Sequence, residues 1–173
     1  MLRAHLGLGS NLGDRWALLG RAIERLAALD PDLVVSPIYE TTPIGGPVGQ
    51  GPYLNAVVRL FLDLEPAGVL SLAAALEAEA GRVRAERWGP RTLDVDVLVL
   101  EAPGRAGLEL VRVDTSVLTV PHPRWAERAF VVAPLADCSP ELVPADWPER
   151  FGGAAGVEEL VRRVGEIVRT PAP

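Results

Sequence analysis

The chain has 173 residues, 49% hydrophobic and 23% charged, with a formal charge of −6; this predicts one domain and argues against general nucleic-acid binding. All 17 cations are arginines, which excludes a Walker A loop and lysine Schiff-base chemistry, while two distant histidines and the lone Cys138 exclude the common structural zinc sites and an internal disulfide. No apolar run reaches the ~20 residues of a membrane span, and the N-terminal MLRAHLGLGS lacks a signal-peptide core, so a cytoplasmic protein that binds no membrane is expected.

Residues 2–8 read as a strand, followed by a glycine-bearing turn and a helix to about Leu29, capped by Asn11 or Asp14. The turn lacks the third glycine of a dinucleotide fingerprint, since position 12 is leucine. It therefore reads as packing beneath a helix N-terminus, with a ligand contact as the alternative. Leu33 to Tyr39 predicts a second strand, and the Gly- and Pro-rich stretch from Glu40 to Pro52 a loop. Tyr53 to Leu64 predicts a long strand that opens with Tyr53 and Asn55 on one face. Glu65-Pro66 starts a helix to about Ala80, with Val69, Leu72, Ala73 and Leu76 as its core stripe.

The segment from Gly81 to Leu100, GRVRAERWGPRTLDVDVLVL, carries the chemistry. Arg82, Arg84, Arg87 and Arg91 crowd a stretch broken by glycine and proline. A strand then alternates Leu93, Val95, Val97 and Val99 with Asp94 and Asp96. Aspartate is disfavoured in strands. Two on one face, roughly 6.5–7 Å apart, can converge on a hard cation such as Mg²⁺. Guanidinium groups beside that pair suit a polyphosphate. Asp-x-Asp alone would read as a solvated strand end; the clustered arginines and Trp88 turn the reading towards a site.

Downstream, Leu108 to Val113 is the expected hairpin partner of this strand. LTVPHP is extended, Arg124 to Leu135 a short helix or turn region, and Cys138 to Phe151 a loop. Gly156 to Arg169 reads as a final amphipathic helix. The order β-α-β-β-α-β predicts an α+β, ferredoxin-like core. Its mostly antiparallel sheet would carry both helices on one face, with an extra C-terminal hairpin and helix. The Tyr53/Asn55 and Asp94/Asp96 strands can be neighbours in such a sheet.

The run RWGPRTLDVDVL, residues 87–98, resembles the signature of the 6-hydroxymethyl-7,8-dihydropterin pyrophosphokinase family. GLGSN, YETTP, YLNAV, GRVR, VPHP and RAFVVAPL follow the order of that family's motifs. The resemblance implies transfer of pyrophosphate from ATP to the hydroxymethyl group of the pterin, releasing AMP, with two Mg²⁺ ions. By position it implies a metal pair of Asp94 and Asp96 and a pterin pocket of Thr42, Pro43, Tyr53, Asn55, Trp88 and Phe130. It further implies ATP contacts from Glu77, Arg84, Thr119, His122 and Arg128, with Arg82 and Arg91 as catalytic arginines. Ala74 and Val117 depart from residues found in some members. A monomer is expected, with a dimer left open. The segment from Gly81 to Pro90 and the 43–52 loop are expected to close as lids. A non-catalytic sensor would not need paired carboxylates opposite arginines, and an RNA-binding sheet would carry aromatic and basic residues where this one carries acids.

Overall fold

The computed structural model describes residues 1–43, 47, 49–82 and 89–167. Strand β1 (Leu2–Ser10) leads to helix α1 (Arg15–Ala27), which starts where Asp14 Oδ1 accepts the Ala17 N–H at 3.0 Å. The expected second strand is two short ones, β2 (Val34–Val35) and β3 (Ile38–Thr41). Between them Pro37 has no N–H to donate, and Ser36 pairs with Val57 through its backbone N–H and its side-chain oxygen. Strand β4 (Tyr53–Leu62) and helix α2 (Pro66–Glu79) follow. Helix α2 ends in a Schellman turn: Gly81 has φ +68, its N–H donates to the Ala78 carbonyl, and the Arg82 N–H donates to the Glu77 carbonyl.

Strand β5 (Asp94–Gly104) turns into β6 (Gly107–Leu110), the expected hairpin. Strands β7 (Val113–Asp114) and β8 (Thr119–Val120) form a separate two-stranded sheet. Helix α3 (Ala129–Cys138) precedes two short 3-10 turns within the segment expected to be loop. The chain then forms α4 (Gly153–Leu160) and β9 (Arg162–Gly165). This corrects the expected final helix. Val161 is buried and extended, and the residues after it pair with the open edge of β3, with Arg162 opposite Glu40 and Arg163 opposite Tyr39.

All ladders are antiparallel, and the main sheet runs β6-β5-β1-β4-β3-β9, with β2 also on β4. Strand β1 lies between β4 and β5, so the Tyr53/Asn55 and Asp94/Asp96 strands are not neighbours, contrary to expectation. Helices α1 and α2 cover one face, where Leu19, Ile23, Val69 and Leu76 pack on Leu6, Leu60 and Val97. Helix α3 covers part of the other face, with Val131, Val132 and Leu135 against Val57, Leu98 and Val99. Full burial of a leucine or valine contributes about 1.5–3 kcal/mol, so each face is anchored by several such groups.

The alternation read along β5 breaks after Val97. The β1–β5 register shifts between His5 and Leu6, whose partners are Val99 and Val97, and Leu98 is the extra residue. Val97 belongs to the α1/α2 core, Val99 to the α3 core and Leu100 again to the first. This bulge changes which face each side chain meets.

Candidate active site

A cleft of about 600 Å³ opens on the α3 side of the sheet. Its floor is the end of β1, whose Gly7 and Gly9 sit opposite Asp96 and Asp94 in the ladder to β5. Gly9 also faces Asn55 across the ladder to β4. A methyl group on Gly9 would meet Asn55 Oδ1 at 3.3 Å, and one on Gly7 would meet Leu98 at 3.3 Å. The glycines therefore form the base of the trough instead of packing beneath a helix N-terminus. With strands about 4.8 Å apart, β1 sets Asp94 and Asn55 roughly 10 Å from each other.

On one side of that floor stand Thr42, Pro43, Tyr53, Asn55 and Phe130, all lining the cleft. Asn55 is buried and held by its Nδ2, which donates to Thr41 Oγ1 at 2.9 Å. Burial pushes the Tyr53 phenol pKa up, so it is a neutral donor and acceptor at ordinary pH. The guanidinium of Arg128 lies 5.7 Å from the Phe130 ring centroid, within cation–π range.

On the other side Asp94, Asp96, Arg91, His122 and Arg128 face the same space. Asp94 is ion-paired to Arg91 and, at 2.6 Å, to Arg82; Arg128 lies 3.5 Å from Asp96. Burial, and then the neighbouring Asp94 charge, push the Asp96 pKa up. Two crowded carboxylates of this kind suit a divalent cation, which would relieve their repulsion. Among the described residues no cluster of three or more His, Cys, Asp or Glu could hold a metal. Further ligands of a cation held by this pair would therefore be phosphate oxygens and water.

His122 accepts the Arg124 N–H on Nδ1 at 3.1 Å, so the neutral ring carries its proton on Nε2. Burial lowers its pKa and favours that neutral form. Glu77 stands behind the cleft. It is buried on α2, accepts the Val95 N–H on Oε1 at 3.0 Å and pairs with Arg82. The Schellman turn that closes α2 is what carries Arg82 back to Glu77 and to Asp94. Thr119 is not in the cleft wall; its hydroxyl donates to Asp114 at 3.2 Å. Arg84, Arg87 and Trp88, and with them most of the expected arginine lid, lie outside the described residues, as do 44–46 and 48 of the second loop.

Residues not singled out from the sequence also line the cleft: Gly7, Gly9, Gln50, Arg124 and Glu127. A signal for the glycines was present. Positions 7 and 9 repeat at the strand period, as do Asp94 and Asp96, so two bare positions can lie opposite two acids.

Paired carboxylates and guanidiniums on an antiparallel sheet, beside a wall of aromatic and amide side chains, define a small α+β domain suited to a polyanion and a flat polar ligand. The profile described as 7,8-dihydro-6-hydroxymethylpterin-pyrophosphokinase (HPPK) matches residues 5–140, and the chain belongs to this family. A 2-amino-4-hydroxy-6-hydroxymethyldihydropteridine pyrophosphokinase from Methylorubrum extorquens is 45% identical over 145 residues, 83% of this chain and 86% of that protein. One of the same name from Mycobacterium leprae is 42% identical over 170 residues, 95% of this chain and 87% of that protein. A Plasmodium falciparum HPPK-DHPS crystal structure with SDX-DHP shares the fold, with a TM-score of 0.59 at 14% identity. That match covers 94% of this chain and 47% of the other, so the chain spans about half its length.

Proposed function

We propose that this chain transfers pyrophosphate from ATP to 6-hydroxymethyl-7,8-dihydropterin, releasing AMP, in folate biosynthesis. The observation that carries the proposal is one cleft, in a chain of this family, that joins the Asp94/Asp96 pair and Arg91 to the Tyr53, Asn55 and Phe130 wall. Thr42, Pro43, Tyr53, Asn55 and Phe130 bind the pterin, with Asn55 offering amide hydrogen bonds to its polar edge and Phe130 stacking on the ring; the family resemblance implies Trp88 as a second stacking residue. His122, Arg128 and Arg84 serve the ATP side, and Glu77 does so by bracing Arg82; Thr119, outside the cleft wall, is given no part in it.

Asp94 and Asp96 would hold Mg²⁺, with two ions as the family resemblance implies. When bound, magnesium neutralises phosphate charge and lowers the pKa of the pterin alcohol. The rest is positioning, which phosphoryl-type transfer chiefly requires. The hydroxymethyl oxygen attacks the β-phosphorus, the bond from that phosphorus to the α-phosphate oxygen breaks, and AMP leaves. The alcohol proton passes to water; no side-chain base is assigned. Arg82 and Arg91, both paired with Asp94 here, neutralise charge on the bridging and leaving oxygens. Nε2–H of His122 supplies a neutral donor to the phosphates.

The strand order β5-β1-β4-β3 supports reading the core as ferredoxin-like, since a βαββαβ chain produces that order. A single-domain, cytoplasmic monomer completes the proposal; among the described residues no helix is long and apolar enough to cross a membrane. The test is product analysis with ATP, Mg²⁺ and 6-hydroxymethyl-7,8-dihydropterin. AMP and the pterin diphosphate are expected. ADP, or AMP formed at the same rate without the pterin, would overturn the reaction class.

A further inference from the structure

We infer that Arg15 is a positioning residue for the pterin side of the cleft: its guanidinium clamps together the two stems of the 43–52 loop. The inference rests on the pyrophosphokinase reading of the cleft. Arg15 is the first residue of α1, a helix that Asp14 caps and that Leu19 and Ile23 seat on the sheet. The guanidinium therefore starts from a fixed element. Nη1 of Arg15 donates to the Pro52 carbonyl at 2.7 Å and to Glu40 Oε2 at 3.3 Å. Glu40 stands two residues before Thr42 on one stem, and Pro52 directly precedes Tyr53 on the other. Thr42, Pro43 and Tyr53 all line the cleft.

The clamp sits where the sheet stops. The β3–β4 ladder ends at Thr41 opposite Tyr53, and Pro52, next in line, has no N–H with which to extend it. Its carbonyl meets Arg15 instead. The Arg15 side chain is 27% exposed and that of Glu40 21%, so this is not an ordinary solvated pair. Glu40 has a second partner: Arg162, an exposed residue of β9, donates to its other oxygen, Oε1. The hydrogen bond from Arg162, joined by that from Arg15, holds the Glu40 carboxyl below its usual range, so the acid is ionised at neutral pH. Two arginines thus share one acid, and of the two it is Arg15 that also grips the loop. An arginine serving stability alone would need the acid but not the Pro52 carbonyl.

The test compares Arg15→Met, which keeps the apolar stem, with Arg162→Met, which takes the other cation from Glu40. Calorimetry with an ATP analogue and Mg²⁺ present gives the pterin Kd, and steady-state kinetics gives the KM of each substrate. A charge-assisted hydrogen bond made partly in solvent contributes a factor of roughly ten. Arg15→Met is therefore expected to raise the pterin Kd and KM roughly tenfold, with the ATP KM within about twofold. Arg162→Met should leave the pterin Kd within about twofold, since it breaks only an exposed pair. Equal rises in the pterin Kd overturn the inference, because loss of either cation would then act through Glu40 alone. So does an Arg15→Met enzyme that melts earlier with the pterin Kd intact. If Arg15→Met does not fold, Arg15→Lys takes its place: it keeps the charge beside Glu40, on a stem one bond shorter that falls short of holding both acceptors. It should raise the pterin Kd roughly threefold at an unchanged melting temperature, and an unchanged Kd overturns the inference. A wild-type chain that binds both substrates and releases no AMP breaks the pyrophosphokinase reading, and the Kd comparison still decides this inference. A wild type that binds no pterin breaks both. An active wild type with Arg15→Met at the wild-type Kd breaks this inference alone.

Discussion

Gly9 lies opposite Asp94 on one edge of β1 and opposite Asn55 on the other. The missing side chain is what keeps the floor between them open, since a Cβ at this point would approach Asn55 Oδ1 to 3.3 Å and Tyr53 Cδ1 to 3.7 Å. Gly9→Ala should displace Asn55 without disturbing the core beneath. The expected result is a pterin KM raised roughly tenfold, the size of one or two lost hydrogen bonds, with the ATP KM within about twofold. Initial rates with each substrate varied check this, and equal changes in both constants would refute it.

Asp96 is held with its pKa pushed up by burial and by Asp94, so its charged form opposes folding at neutral pH. Asp96→Asn should therefore raise the melting temperature in metal-free buffer. It should also abolish the further stabilisation that Mg²⁺ with an ATP analogue gives the wild type, and lower kcat roughly 10²–10³-fold. Thermal melts with and without Mg²⁺ and the analogue separate these effects. A variant that melts lower in metal-free buffer would contradict the crowding argument.

Glu77 holds the start of β5 through the Val95 N–H and pairs with Arg82. Glu77→Ala leaves a buried N–H without this acceptor, which costs about 1–3 kcal/mol, and removes an anchor of Arg82. Glu77→Gln keeps an acceptor oxygen and should recover most of the stability but not the ion pair. Denaturant titration of the two variants measures the first effect, and kcat measures the second. Equal stability of the two variants would count against the brace.

His5 is fully buried, its Nε2 paired with Ser139 Oγ at 2.8 Å, and its pKa is lowered from 6.5 to about 4, first by burial and then by Arg3. A depressed histidine pKa means the unfolded chain takes up a proton before the folded one does. Stability from this group is thus full above about pH 6.5 and declines as pH falls towards 4, by about 3 kcal/mol in all. His5→Asn should remove that part of the slope. Unfolding free energies of both proteins at pH 7 and pH 4.5 test it, since the carboxylates contribute equally to the two curves.

Much of this was legible in the sequence because the elements rest on local signals. Asp14, Pro66 and Gly81 mark helix ends where the structure has them, and three residues of the arginine-to-DVD run, Arg91, Asp94 and Asp96, line the cleft. Strand neighbourhood was not legible, because nothing within the β4 or β5 segments states that β1 lies between them. The C-terminal strand was missed for a related reason: the valines of residues 157–168 fit a helical stripe, and only the open edge of β3 makes pairing at Arg162 and Arg163 preferable. The contacts of Asn11 were hidden by its position before a helix, where a capping role is the nearer explanation. Its partners, Gln50, Gly51 and Arg91, are 39, 40 and 80 positions away.

The additional residue at Leu98 gives β5 two independent parts. Ahead of it, side chains alternate between the trough and the first core; beyond it, the same strand serves two interiors. Length in this stretch is consequently more constrained than identity. Deleting one residue would rotate either the acids away from the cleft or Glu101 away from Arg3, its partner at 2.7 Å, while an apolar exchange at Val97 or Val99 would leave both parts aimed as they are.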